Sequence, residues 1–182
     1  MLALQIFEVR YLDLIKRCHQ QQLPFGIAWI KQGSEVQVPG EVPSLHNMGC
    51  MAHIREFEQV QPNYFRVLCQ GGLRFQLHVV QPGPYGVWQG SVTYLAQDLE
   101  VEVPATLQTY ADRLGKVIAS AQQQGVIDKL PIFPPYHLDL CGWLANRYAE
   151  AIPVSAELKM QLLSELDPLQ RLESVIHLMP ES

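Results

Sequence analysis

Six histidines, four cysteines and eighteen carboxylates are the side chains here that could act as nucleophile, general base or metal ligand. Their spacing assembles none of these roles. His19, His46, His53, His78, His137 and His177 stand apart, and Cys18, Cys50, Cys69 and Cys141 include no Cys-x-x-Cys pair. A zinc centre needs three or four such ligands brought together, usually in closely spaced pairs. His137 and Asp139 supply two arms at most, and Asp139 reads better as a helix cap. Cys69 alternates with Phe65 and Val67 and so belongs to the inner face of a strand, while Cys18 and Cys141 fall on apolar helix stripes. A cysteine nucleophile needs exposure and a basic neighbour, and neither is visible. The phosphate loop Gly-x-x-x-x-Gly-Lys-Ser/Thr is absent, as are Gly-x-Gly-x-x-Gly, Gly-x-Ser-x-Gly and His-Glu-x-x-His. With no nucleophile, base or cofactor site named, the reading is of a protein that is not an enzyme.

The aromatic residues say more. Trp29, Tyr85, Trp88, Tyr94 and Trp143 cannot all be buried beside one another. Trp88 lies between Gly86 and Gly90 on a strand face of small residues. Small neighbours around a Trp leave either a shallow groove, in which an apolar peptide side chain could stack, or a plug for the end of a barrel. Arg74 could anchor a polar group at the rim of such a groove, or pair with Glu8 or Glu56. Trp88, Tyr85, Arg74 and Trp29 are therefore the candidate peptide-contacting residues.

These residues must be positioned by the elements around them. Phe7, Tyr11, Leu14, Ile15 and Cys18 recur with helical spacing and predict one amphipathic helix. Glu8 near its start and Lys16 and Arg17 near its end suit the helix dipole. Pro24–Ile30 reads as a buried strand. Residues 31–48 read as a polar surface loop or loose hairpin. Strand patterns then follow at 49–57 (Cys50, Ala52 and Ile54 inward), 64–70 (Phe65, Val67 and Cys69 inward), 73–79 (Phe75, Leu77 and Val79 inward) and 85–94. Gly71-Gly72 breaks the alternation as a bulge or barrel corner would. Several short strands with glycine bends and one early helix predict a small, partly open barrel with mixed sheets.

Beyond about residue 100 the period changes. Pro104 suits a first helical position, and Leu107, Tyr110, Ala111, Leu114, Val117, Ile118 and Ala121 carry a stripe that Gly125 stops. Residues 126–136 hold too many prolines for a helix and too many apolar groups for a free linker, so they should lie against the domain. Asp139 should cap a helix through Tyr148, with Pro153 ending it. Ser155 should cap a second helix, and Asp167-Pro168-Leu169-Gln170 a third as a capping box. The fold class is thus α+β: a β-rich part at 1–98 and an all-helical part at 99–182.

Composition bounds the function. The 182 residues are 48% hydrophobic and 17% charged, with net charge −5. A nucleic-acid binder usually shows a basic stripe, which is missing. There is no apolar run long enough to span a membrane and no signal peptide. Scattered cysteines fit a reduced, cytoplasmic protein with buried thiols.

Several short motifs, in order, resemble the Lon protease N-terminal family, the LON substrate-binding domain with a PUA-like fold. Phe7-Glu8-Val9-Arg10-Tyr11 matches its F-E-x-R-Y signature, and Pro24-Phe25-Gly26-Ile27 the F-G-[IV] strand that follows. Gly49–Ile54 is similar to G-[TC]-x-A-x-I, and Gly71-Gly72-Leu73-Arg74-Phe75 to G-x-x-R-F. Pro153, Lys159, Leu162-Leu163, Asp167 and Arg171-Leu172 follow the helical tail. The signature residues Phe7, Glu8, Arg10, Tyr11, Gly26, Arg74 and Phe75 are expected to be structural, with Phe7 and Tyr11 pinning the first helix and Glu8 and Arg10 forming ion pairs. The family's first strand looks absent, since only Leu2-Ala3-Leu4 precedes the signature, which would leave an open sheet edge or an apolar gap. The chain stops at Ser182, so the ATPase and Ser-Lys protease modules of full-length Lon are not expected. The resemblance implies a stand-alone, non-enzymatic module that recognises unfolded or tagged protein segments, with no cofactor; an RNA-binding PUA-like module is the alternative.

Overall fold

Two long strands carry the first part of the chain. In the computed structural model, which describes residues 1–33 and 44–180, β3 (Ser44–Gln61) and β4 (Tyr64–Pro82) form a hairpin across Pro62-Asn63. Phe65, Val67 and Cys69 of β4 are fully buried, as period-two alternation requires of a strand with one covered face. β1 (Leu2–Ile6) pairs with the first half of β4, from Leu2↔Cys69 to Ile6↔Phe65. β5 (Trp88–Tyr94) pairs with its second half, and β2 (Phe25–Gln32) pairs with β3. The order is β1-β4-β3-β2 with β5 beside β4, and the sheet does not close. This is the expected open α+β architecture, but the expectation of mixed sheets fails: every pairing is antiparallel. Tight turns join β3 to β4 and β4 to β5, and such turns admit only antiparallel neighbours.

Three strand expectations need correction. A strand does precede the signature, because Leu2, Leu4 and Ile6 alternate opposite the apolar face of Cys69, Val67 and Phe65. Five residues suffice when the partner face specifies the register so strongly. Ser44–Met48 is not loop but the start of β3, with Leu45 opposite Ile30; residues 34–43, the rest of the expected loop, lie outside the described residues. Val79 is exposed, not inward. β4 has an extra residue, His78, between Leu77↔Val92 and Val79↔Ser91, and this bulge reverses the alternation. The glycine break behaves as expected: the β3–β4 register shifts between Cys50↔Arg74 and Ala52↔Gly71.

The helix α1 (Val9–Gln21) covers one half of this sheet. It packs through Leu12 and Ile15, which join Ile6, Ala52, Phe65, Val67 and Cys69 in one core, and Cys18 is buried on the same helix. The helix begins at Val9, so Phe7 lies before its first turn and is 64% exposed. It therefore does not pin the helix, and Leu12 takes the place on the stripe that was assigned to Phe7. Glu8 is the N-terminal flanking residue, and its carboxylate accepts from Arg10 Nε at 2.8 Å. Phe75 fills the other half. Its ring packs against Gly49 on β3 and Gly26 on β2 beyond it, where a side chain on Gly49 would also meet the Ile27 carbonyl at 2.6 Å.

The chain divides into two compact units, Met1–Gln97 and Asp98–Ser182. The second contains α2 (Gln108–Gln123), α3 (Cys141–Ala151), α4 (Ala156–Ser164) and α5 (Pro168–His177). Leu144, Leu172, Val175 and Cys141 are its buried centre. Gly125, with φ +67°, follows α2 where a left-handed residue stops a helix. Ser155 caps α4 by accepting from Leu158 N–H. Asp167 Oδ1 accepts from Leu169 and Gln170 N–H, and Pro168 takes the first position of α5. The return bond of the expected capping box comes from Glu165, which accepts from Asp167 N–H, and not from Gln170. Asp139 does not cap α3. Its backbone instead joins an antiparallel bridge, Glu102↔Leu140, in which Val103 N–H donates to Asp139 O and Cys141 N–H to Val101 O. This unit is thus helical with one strand-like clasp. Pro104 stands just before a short 3₁₀ turn, Ala105–Leu107, which leads into α2. Val126, Ile127, Leu130, Ile132 and Tyr136 of the proline-rich segment are half-buried, as expected for a stretch lying against its unit.

Arg171 of α5 is 1% exposed and is held by Asp98 through two bonds of 2.7 Å. Removing one partner of a buried pair strands the other charge. Asp98→Ala should lower unfolding stability by about 3 kcal/mol, read from urea denaturation of the helical signal. Gly49→Ala should cost roughly 2 kcal/mol by overpacking. Adding Phe75→Ala should not restore it, since the Ile27 carbonyl remains in the way. Burial pushes the Cys69 thiol up to about 11, from 9.0. Below pH 9 this thiol is protonated folded or unfolded; between 9 and 11 only the unfolded chain ionises and binds fewer protons, so stability falls as pH rises. The loss through this window should be on the order of 2 kcal/mol, and Cys69→Ala should flatten the slope while lowering the plateau.

Candidate functional site

The side chains with chemical potential are mostly occupied by structural partners. His78 Nε2 lies 2.8 Å from Thr93 Oγ1, and His19 stacks on Phe57 at 4.4 Å. Cys50 donates to Gly72 O and Cys141 to Glu102 O. Burial pushes all four thiols up; for Cys141 the nearby Asp167 and Glu173 carboxylates push the same way. They are therefore neutral thiols at pH 7, poor nucleophiles and poor metal ligands. Among the described residues no group of three or more His, Cys, Asp or Glu side chains is placed to hold a metal.

A shallow depression of about 540 Å³ lies in the second unit. Val103, Ala111, Gly115 and Leu138 line it with Glu102, Asp112 and Asp139, and no basic side chain contributes. Asp112 accepts from Gln108 Nε2 at 3.2 Å. Its carboxylates disfavour anionic ligands. They sit on the more acidic half of the chain, since twelve of the eighteen acidic residues follow Gln97.

The candidate aromatic residues all lie in the first unit, on its sheet or in the turn between β4 and β5. Tyr85 sits in a 3₁₀ turn, Pro84–Gly86, at φ +59° and is 85% exposed. Trp88 opens β5 opposite Pro82 and is half-buried. These two share the β4–β5 turn. Trp29 stands at the register shift of β2 between Ala28 and Ile30 and is 50% exposed. Arg74 lies on β4 opposite Cys50, at the level of Ile27. Eight residues of β4 separate Arg74 from Pro82, roughly 26 Å of extended strand. The ladder therefore groups Trp29 with Arg74 and Tyr85 with Trp88, and strand pairing does not join the two groups. Tyr94, 54% exposed and opposite Phe75, belongs with the first group. It is absent from the sequence-derived set because its level on the sheet depends on the His78 bulge. Exposed Val79 and Leu73 extend the apolar surface.

The first unit thus holds a sheet that α1 covers on only one half, with β1 and β5 uncharged and aromatic and aliphatic groups in solvent. Such a surface can take up apolar side chains; it presents no charged pocket for a small polar ligand. No helix among the described residues is long and apolar enough to cross a membrane.

Comparison with known proteins places this architecture. No curated protein matches the sequence. Among solved structures, the Lon N-terminal domain protein from Xanthomonas campestris aligns with a TM-score of 0.72 at 26% identity, over 98% of this chain and 89% of that one. The N-terminal domain of the Mycobacterium avium complex Lon protease aligns at 0.52 and 18% identity, over 97% and 89%, which is a likeness of fold. A family model for the substrate-binding domain of ATP-dependent protease La (LON) matches residues 1–181. Together with the open antiparallel sheet and the helical second unit, that match shows that the chain belongs to the LON substrate-binding domain family.

Proposed function

We propose that this chain is a non-enzymatic recognition module for unfolded or tagged protein segments, and that it contacts them through the exposed aromatic surface of its sheet. One observation carries the reading: Trp29 and Tyr94 on the sheet, and Tyr85 in the turn between β4 and β5, are each at least half exposed. Exposed aromatics of this kind are the usual anchors of weak peptide recognition, offering large contact area at small entropic cost. Family membership supports the same role, since the family is defined by substrate binding in a protease whose catalytic modules are separate. Free, protonated cysteines support a reducing, cytoplasmic setting. RNA contact gains no support, because β1 and β5 carry no charge and the acidic residues outnumber the basic ones.

Fluorescence anisotropy with a labelled, permanently unfolded protein tests the proposal. Binding should be weak and should persist at raised salt. Trp29→Ala and Tyr85→Ala should each reduce affinity by about 5–30-fold, corresponding to the 1–2 kcal/mol expected of an aromatic anchor. Both side chains are exposed, so the melting temperature should not move. Unchanged affinity in both variants would sink this surface as the site.

A further inference from the structure

Strand β5 offers a second kind of recognition on the same unit. It is hydrogen-bonded to β4 along one edge, and its other edge has no strand partner among the described residues. Gln89, Gly90, Ser91, Thr93 and Tyr94 are exposed, so the edge is open to solvent. An open edge is a row of unfilled N–H and C=O groups, and proteins normally blunt it with lysine, proline, a bulge or brevity. The sequence Trp88-Gln89-Gly90-Ser91-Val92-Thr93-Tyr94 has no charge and no proline over its seven residues. The bulge at this position belongs to β4, whose extra residue is His78, so consecutive residues of β5 remain in regular register. The other edges differ. β2 carries Lys31, and β1 is only five residues long and ends at buried Ile6.

We propose that an extended, uncharged segment of an unfolded polypeptide adds to the free edge of β5 as a further strand. This deepens the function proposed above and rests on it. Backbone bonds supply affinity without demanding a sequence, while Trp88 and Tyr94 at the two ends of the strand and exposed Val79 beside it favour apolar side chains. A charged segment would meet no countercharge along β5. A proline would interrupt the ladder because it lacks the N–H. The occupant is an unfolded segment and not a second copy of this chain: a seven-residue strand pair falls short of the roughly 1,000 Å² a stable dimer needs, whereas a weakly and transiently held segment does not require that area.

The test uses the full chain and a labelled peptide of about nine alternating threonines and valines, with a second version N-methylated at alternate residues. The methylated version should bind at least tenfold more weakly. Hydrogen exchange at residues 89–93 should slow when the unmodified peptide is bound. Ser91→Lys, on an exposed position, should weaken binding at least tenfold without changing the melting temperature. If the methylated peptide binds as well as the parent, or if protection develops elsewhere while β5 exchanges freely, edge pairing is wrong. If β5 is already protected without peptide and the protein sediments as a dimer, a second copy holds the edge and the proposal is overturned. Sensitivity to Trp29→Ala or Tyr85→Ala with no effect of methylation would leave the aromatic surface standing and remove the edge. If neither peptide nor unfolded protein binds, both readings fall together.

Discussion

The helical unit depends on keeping one guanidinium satisfied out of water. Arg171 has five N–H donors, and the structure fills all of them. Nη1 donates to Asp98 and Asn146, Nη2 to Asp98 and the Glu165 carbonyl, and Nε to the same carbonyl. Those acceptors come from the first residue of the unit, from α3 and from the α4–α5 link. A single side chain therefore fixes three segments, and it does so beside Leu172 and Val175, which are fully buried. The arrangement propagates outward. Gly142 must lack a side chain, because a Cβ there would meet Asp98 Oδ2 at 2.6 Å. Glu165 accepts from Arg171 with its backbone carbonyl and from Asp167 N–H with its carboxylate, while Asp167 Oδ1 caps α5. Replacing the charge network with packed apolar groups could be as stable, but it would not specify these three segments so narrowly.

The sheet unit is governed by close packing instead. Phe75 needs the bare backbones of Gly26 and Gly49 beneath it, and Phe65 needs α1 above it, where Lys16 also reaches over the ring at 5.3 Å. Gly26 and Phe75 belong to the family signature, as do Glu8, Arg10 and Tyr11. Arg10 is buried, bonded to Glu8 and stacked on Tyr11 at 4.5 Å. Most of the signature is thus scaffold. Its residues are taken up by packing and ion pairing within the unit, so they say little about any surface left uncovered.

Local signals were legible and long-range ones were not. The alternation of Phe65, Val67 and Cys69 survives because the pleat has a period of two, whatever lies across it. Ser155 and Asp167 were readable as caps because capping is completed within three residues. Phe7 misled because its spacing to Tyr11 is helical although the helix has not yet begun. Val79 misled because one bulged residue reverses every later side chain, and no residue type announces it. Asp139 had the right chemistry for a cap, but Val103, 36 residues earlier, took its backbone carbonyl. Asp98 gave no hint of Arg171, 73 residues away. The candidate aromatics suffered likewise. Their types were evident from sequence, but their grouping depends on strand register, which separated Trp29 from Trp88.

A sheet with exposed aromatics and an uncharged edge strand is an aggregation hazard. The distribution of charge answers the hazard. Asp98–Ser182 holds twelve acidic and six basic residues, whereas Met1–Gln97 is close to balanced. Net charge of one sign keeps proteins apart in solution, and it does so over about a Debye length without touching the apolar groups. Placing that charge on the helical unit leaves the sheet free of like-charge repulsion toward an incoming segment. The acidic bias of the second half is therefore better understood as a solubilising counterpart to the apolar sheet than as a binding site of its own.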